Sequence, residues 1–171
     1  MARKILMIIC LGFLFLGCSS KEETPSVKSI LVEQLANSHS NEVWFVPSKK
    51  AIEGLTSEQA NWKDSTANHS IKELVSHLIF WNEVNLRVFK GEEVLDLNEE
   101  NEKTFQKSNA KEWHALVKEL DNIQDAWELE TQNASKEQIK EWGADIANMS
   151  SHTAYHTGQI IYIRKQQGWW K

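Results

Sequence analysis

Cysteine is all but missing from these 171 residues: only Cys10 and Cys18 occur, both close to the amino terminus. The rest of the chain therefore has no disulfide framework, no thiol nucleophile and no thiolate ligand. Any metal must be held by nitrogen and oxygen atoms. Basic charge is also short. Lys and Arg number 19 against 24 Asp and Glu, a formal net charge of -5, whereas nucleic-acid binding wants a concentrated basic surface. Proline occurs twice and glycine seven times. With so few breakers, many long polar side chains and no sustained apolar-polar alternation, the chain reads as helical. Its length suffices for one domain with a real core.

The one continuous apolar run, Ile5 to Leu16, is too short to span a bilayer and follows the positive Arg3-Lys4 pair, as in a removable leader. It ends in Phe15-Leu16-Gly17-Cys18, which resembles a bacterial lipobox, a signal cut before its cysteine, which then carries the lipid. Phe15 departs from the usual leucine; Gly17 and Cys18 fit. The expected organisation is a signal peptide over residues 1–17, a lipidated Cys18 and tether over 18–26, and a helical domain over 27–171. The protein is then extracytoplasmic and anchored to a bacterial membrane. Lys21-Glu22-Glu23 resembles the export tag of some surface lipoproteins, which admits the outer membrane. Loss of Arg3 and Lys4 moves the formal charge from -5 to -7.

Thr24-Pro25 reads as an N-cap and first-turn proline for a helix through Val27, Ile30, Leu31 and Leu35, fading near Ser38 to Asn41. Pro47-Ser48 restarts the chain in a short helix ending near Gly54. Capping boxes are expected at Thr56/Gln59, Ser70/Glu73 and Asn109/Glu112. The second opens a helix with Ile71, Leu74, Val75, Leu78 and Phe89 on one face and Gly91 at its end. The third opens one with Trp113, Leu116, Val117, Leu120, Ile123 and Trp127. Val94 to Lys107 reads as a long acidic connection. Ser135 and Gln138 start a further turn that Gly143 interrupts, and a last helix runs from about Asp145 to Gln167. Four main helices with a long middle connection indicate an all-α bundle.

The histidines separate by helix face. At about 100° per residue, His152 and His156 lie about 40° apart, on a stripe with Met149, Ile160 and Ile163. Buried imidazoles need partners for their nitrogens, and either a divalent metal supplies one or one ring is satisfied by a hydrogen bond while the other lies at the margin of the face. His77 flanks the apolar arc of its own helix and is favoured by elimination as the third ligand. His114 falls off its apolar stripe and is expected in solvent and His69 on a surface loop; His39, where the first helix fades, is weighed as lining a pocket against an exposed position, which takes the larger share.

Gly54 to Trp62, His69 to His77, and Ser151-His152-Thr153-Ala154-Tyr155-His156-Thr157-Gly158-Gln159-Ile160 together resemble the DinB-like metalloenzymes, and the resemblance runs from Val27 onward. It implies a four-helix bundle with one long crossover and makes His77, His152 and His156 the metal ligands. Three nitrogen ligands leave a coordination position open, unlike a closed structural site. Zinc is the first expectation on ligand type, with nickel, iron and manganese as alternatives.

Glu73 is weighed as a carboxylate behind His77 against its capping role, which takes the larger share. Gln159 is weighed as a pocket residue against a seam residue. Tyr155 and Glu83 are candidate proton carriers. Gly158 is expected to permit close helix packing, and Trp44, Trp62 and Trp81 to fill gaps between helices. The expected activity is a hydrolase-like reaction on a small molecule at the open position. The resemblance also implies thiol S-transfer, which an extracytoplasmic location disfavours. A metal- or ligand-binding lipoprotein without turnover is the third reading. The tryptophan content is compatible with a homodimer.

Overall fold

Each long helix in the computed structural model, which describes residues 24–63, 69–94, 100–106 and 111–170, begins and ends where local chemistry dictates. α1 (Val27–His39) is capped by Ser26, whose side chain accepts from the Ser29 amide. The cap is therefore two residues past the expected cap at Thr24. Two single-turn helices follow, α2 (Ser48–Ile52) and α3 (Ser57–Asn61). The Thr56/Gln59 capping box opens α3 with both reciprocal hydrogen bonds in place. Ser70 and Glu73 form the same device at the start of α4 (Ile71–Phe89). That helix stops at Gly91, whose φ of 78° suits a residue without a Cβ.

α5 (Asn101–Thr104) is one turn inside the stretch read as an aperiodic connection. α6 (Trp113–Asn133) has Glu112 as its N-cap with no side-chain cap bond; Asn109 of the expected Asn109/Glu112 box lies outside the described residues. The Ser135/Gln138 box opens α7 (Lys136–Gln166), which runs without a break through Gly143. The expected interruption is absent because tertiary packing decides: a Cβ at Gly143 would meet Leu31 Cδ1 of α1 at 3.7 Å.

α1 packs against α7 and α6, and α4 against α6 and α7. The pairing sense follows from named contacts. Ser150 donates to the Gln34 carbonyl at 2.8 Å, while Gly143 faces Leu31, so α1 and α7 run parallel. Trp127 donates to the Asn82 carbonyl at 3.1 Å and Lys90 approaches Glu130 at 3.9 Å, so α4 and α6 are parallel as well. Lys28 reaches the Ala134 carbonyl whereas His39 reaches Asp121, which makes α1 antiparallel to α6. His77 faces His152 and Phe89 faces Trp142, which makes α4 antiparallel to α7. Parallel α4 and α6 require a connection that returns along the bundle, and residues 90–112 supply it. The fold is all-α, a four-helix bundle with a long crossover.

Two apolar clusters fill it. One surrounds Ile71, Leu74, Leu78, Trp113, Leu116 and Ile160; the other surrounds Leu31, Leu35, Phe89, Trp127 and Ile146. Val27 and Ile30 of the first pattern are exposed instead. Arg164 of α7 donates to the carbonyls of Ala51, Glu53 and Trp169 and lies 4.8 Å from the Trp170 ring, fastening the short helices to the end of α7. No helix among the described residues is long and apolar enough to cross a membrane. The leader, Cys18 and tether residues 18–23 lie outside them.

Candidate metal centre

Antiparallel packing of α4 on α7 turns three imidazoles towards one point. His77 enters from the second turn of α4, whose register the Ser70/Glu73 box sets. His152 and His156 sit four residues apart on α7. The Nε2 atoms of His77 and His152 are 3.1 Å apart, and those of His156 and His152 are 3.0 Å apart. All three ligand atoms fall within 4.8 Å of one another.

The outward nitrogens determine what the inward ones can do. His77 Nδ1 is 2.5 Å from Thr104 Oγ1, and that hydroxyl donates to the Asn101 carbonyl at 2.6 Å. Its own proton being committed, the threonine oxygen accepts from His77, so Nδ1 carries the hydrogen and Nε2 a lone pair. His156 Nδ1 is 2.6 Å from Gln159 Oε1, and the Gln159 amide nitrogen faces Tyr155 Oη at 3.4 Å. His156 therefore also presents a lone pair at Nε2. His152 Nε2 touches both and has one proton at most, so the cluster cannot satisfy itself with hydrogen bonds. His152 Nδ1 is buried with no hydrogen-bond partner among the described residues.

Burial, reinforced by the neighbouring His156 and His152, pushes His77 down to about 3. Burial and His156 push His152 down to about 4. Burial also lowers His156, against the raising effect of its Gln159 bond. Three neutral rings converging through lone pairs are the donor set of a divalent cation. The two Nε2 separations approach the roughly 3.3 Å edge of a tetrahedron with ligand bonds of about 2.0–2.1 Å. The residues fit a metal, and three of them leave a position open.

The centre forms the base of a cleft of about 890 Å³. Its walls include Trp62, Phe105, Tyr155 and Tyr162. Phe105 is held between two imidazoles, 3.6 Å from the His69 ring and 4.1 Å from the His77 ring, nearly parallel to both.

Several residues are placed differently from expectation. His69 is not a bare surface residue: it lines the cleft, with Nδ1 3.8 Å from Glu73 Oε2. Glu73 caps α4 and pairs with Lys63, and it does not reach His77. Thr104 takes the position behind His77, and Gln159 stands behind His156 rather than at a seam. Gly158 has nothing within 4 Å of a Cβ position, so it does not serve close helix packing; it lines the cleft. Trp44 is 98% exposed and fills no gap. Glu83 is exposed and away from the cleft, as His114 is from its apolar stripe.

His39 is the sharpest departure. It is 2% exposed, with Nδ1 2.7 Å from Glu128 Oε1 and Nε2 2.8 Å from Asp121 Oδ1. Burial disfavours its charge, but the bonds to Glu128 and Asp121 outweigh that and raise its pKa. Although His39, Asp125 and Glu128 also cluster, a ring with a carboxylate on each nitrogen is an imidazolium and has no lone pair for a cation.

A family model described as the DinB superfamily matches residues 48–160, a span that contains all three converging histidines. No curated protein and no solved structure matches the chain.

Proposed function

The chain belongs to the DinB superfamily, and from that premise we propose that it is a divalent-metal-dependent enzyme of hydrolase type. His77, His152 and His156 hold the ion, with zinc first on ligand type. The observation that carries this reading is the convergence of Nε2 lone pairs whose outward nitrogens are already committed to Thr104 and Gln159. A bound divalent ion supplies Lewis-acid chemistry, polarising a substrate oxygen and lowering the pKa of a water.

The chain's own residues supply the rest. Thr104 and Gln159 fix the tautomer and ring orientation of His77 and His156. Phe105 sets His69 across from the triad by stacking. With Nδ1 of His69 turned towards Glu73 Oε2, Nε2 is the nitrogen left to exchange a proton with a molecule in the cleft. His69 thereby fills the general acid–base role.

Elemental analysis of the purified chain should find about one metal per molecule, and His77→Ala or His152→Ala should abolish it. Metal that is absent from the native chain, or survives both changes, would sink the site. A metal-loaded chain inert towards esters, amides and thiol–electrophile pairs alike would instead be a binding lipoprotein, and turnover of the thiol pairs alone would make it an S-transferase. The membrane location is part of the same proposal, with Cys18 as the lipidated residue after removal of 1–17. Cys18→Ala should release the chain to the soluble fraction; unchanged membrane retention would count against the anchor.

A further inference from the structure

The outer half of the cleft is built from one repeated pair on α7. Gln159 Nε2 is 3.4 Å from Tyr155 Oη, and Gln166 Nε2 donates to Tyr162 Oη at 3.0 Å. The four residues share one helical stripe, with the phenols seven positions and about 10.5 Å apart along the axis. Each phenol oxygen receives an amide N–H, so its own O–H is left to donate outward. Tyr155 and Tyr162 are 64% and 63% exposed, so the protein itself leaves much of their aromatic surface uncovered. Trp62 also lines the cleft, braced edge-on by Trp169 at 5.9 Å.

The lining is also electrically bare. Charged residues make up 25% of the sequence, so fourteen lining residues drawn at that rate would include about three or four. Among the described residues that line the cleft there is none. Burial of a ligand charge there would go uncompensated outside the histidine cluster.

We propose that the Tyr155–Gln159–Tyr162–Gln166 ladder selects an uncharged, planar, carbonyl-bearing molecule, of the class of aromatic esters, lactones and amides. The proposal rests on the cleft being the substrate pocket of the metal centre and names what enters it. Stacking on the phenols holds the flat body, and their O–H groups donate to its carbonyl oxygens. A peptide thiol such as glutathione, with two carboxylates and an ammonium, finds no counter-charge on these walls.

Coumarin, coumarin-3-carboxylate and glutathione are matched probes, titrated by ligand-observed NMR against the zinc-free full chain so that no carboxylate or thiol is drawn to a metal. Coumarin should bind at least about tenfold more tightly than either charged probe, following the cost of burying an unpaired charge. Tyr162→Ala should weaken coumarin by about fivefold or more through the lost stacking face, and Tyr162→Phe by about threefold through the lost donor alone. Both changes fall on an exposed side chain, so the fold is retained. Coumarin bound no better than its carboxylate or glutathione, or indifferent to Tyr162→Ala, overturns the proposal. Metal content measured on the zinc-reconstituted chain reports on the histidine centre separately, so failure of one reading is visible without the other.

Discussion

Thr104 carries more of the centre than its size suggests. One hydroxyl accepts from His77 and donates to Asn101, which sets the ring's tautomer and ties α5 to α4. Thr104→Val keeps the shape and removes both bonds. Metal affinity should fall about 10- to 100-fold, the usual range for partners behind a ligand, as read by competition with a chromophoric chelator, while circular dichroism stays unchanged. His69→Gln should leave metal content intact and lower kcat by about 10²- to 10⁴-fold, the range for a general acid–base residue. The two histidine environments also give opposite pH dependences. The converging trio His77, His152 and His156 has depressed pKa values, so its contribution is present above the unfolded value of 6.5 and is lost as pH falls, towards about 4 for His152 and about 3 for His77. His39 has a raised pKa, so its contribution is complete below 6.5 and is lost as pH rises through the raised value. In metal-free chain, urea midpoints should therefore be highest near neutrality and fall on both sides, and His39→Ala should abolish the alkaline fall and cost about 1.5–3 kcal/mol. His152 and His156 were legible because their spacing is local. Neither Thr104 nor the burial of His39 was, because Thr104 is 27 residues from His77 and the carboxylates on His39 are 82 and 89 residues away.

Helix starts obey chemistry within four residues, which is why the boxes at Thr56, Ser70 and Ser135 could be read directly. Helix continuity does not. Gly143 lowers the local propensity of α7, yet the surrounding turns pack on α1, and that contact overrides a cost of about 1 kcal/mol. Two glycines should therefore answer oppositely to alanine. Gly143→Ala meets only an ordinary 3.7 Å contact with Leu31 and should raise stability by about 0.5–1 kcal/mol. Gly91→Ala forces a Cβ onto a φ of 78° and should lower it by about 1 kcal/mol. Thermal melts of the two variants check both signs. The crossover shows the other limit of local reading: its sequence is polar and aperiodic, and Phe105 within it is buried through contacts from elsewhere in the chain, the apolar core cluster and two histidine rings.

At the scale of the molecule, the two clusters divide labour. The cluster around Trp127 holds α1, α4, α6 and α7 together away from the cleft, and Trp127 is fully buried with its indole N–H on Asn82. Trp127→Ala should cost about 3–5 kcal/mol, much of a total stability that is typically about 5–15 kcal/mol, and should collapse the urea midpoint without touching a ligand. The parallel run of α1 and α7 has a further consequence. Both helices start at the same end of the bundle, where Lys28 meets the Ala134 carbonyl. From Lys136, His152 is about 24 Å along the axis, and the Tyr/Gln ladder extends beyond it. If the chain is anchored at Cys18 as proposed, the cleft would lie towards the end of α7 away from the anchored terminus, a placement that favours a substrate arriving through water over one moving laterally through the bilayer.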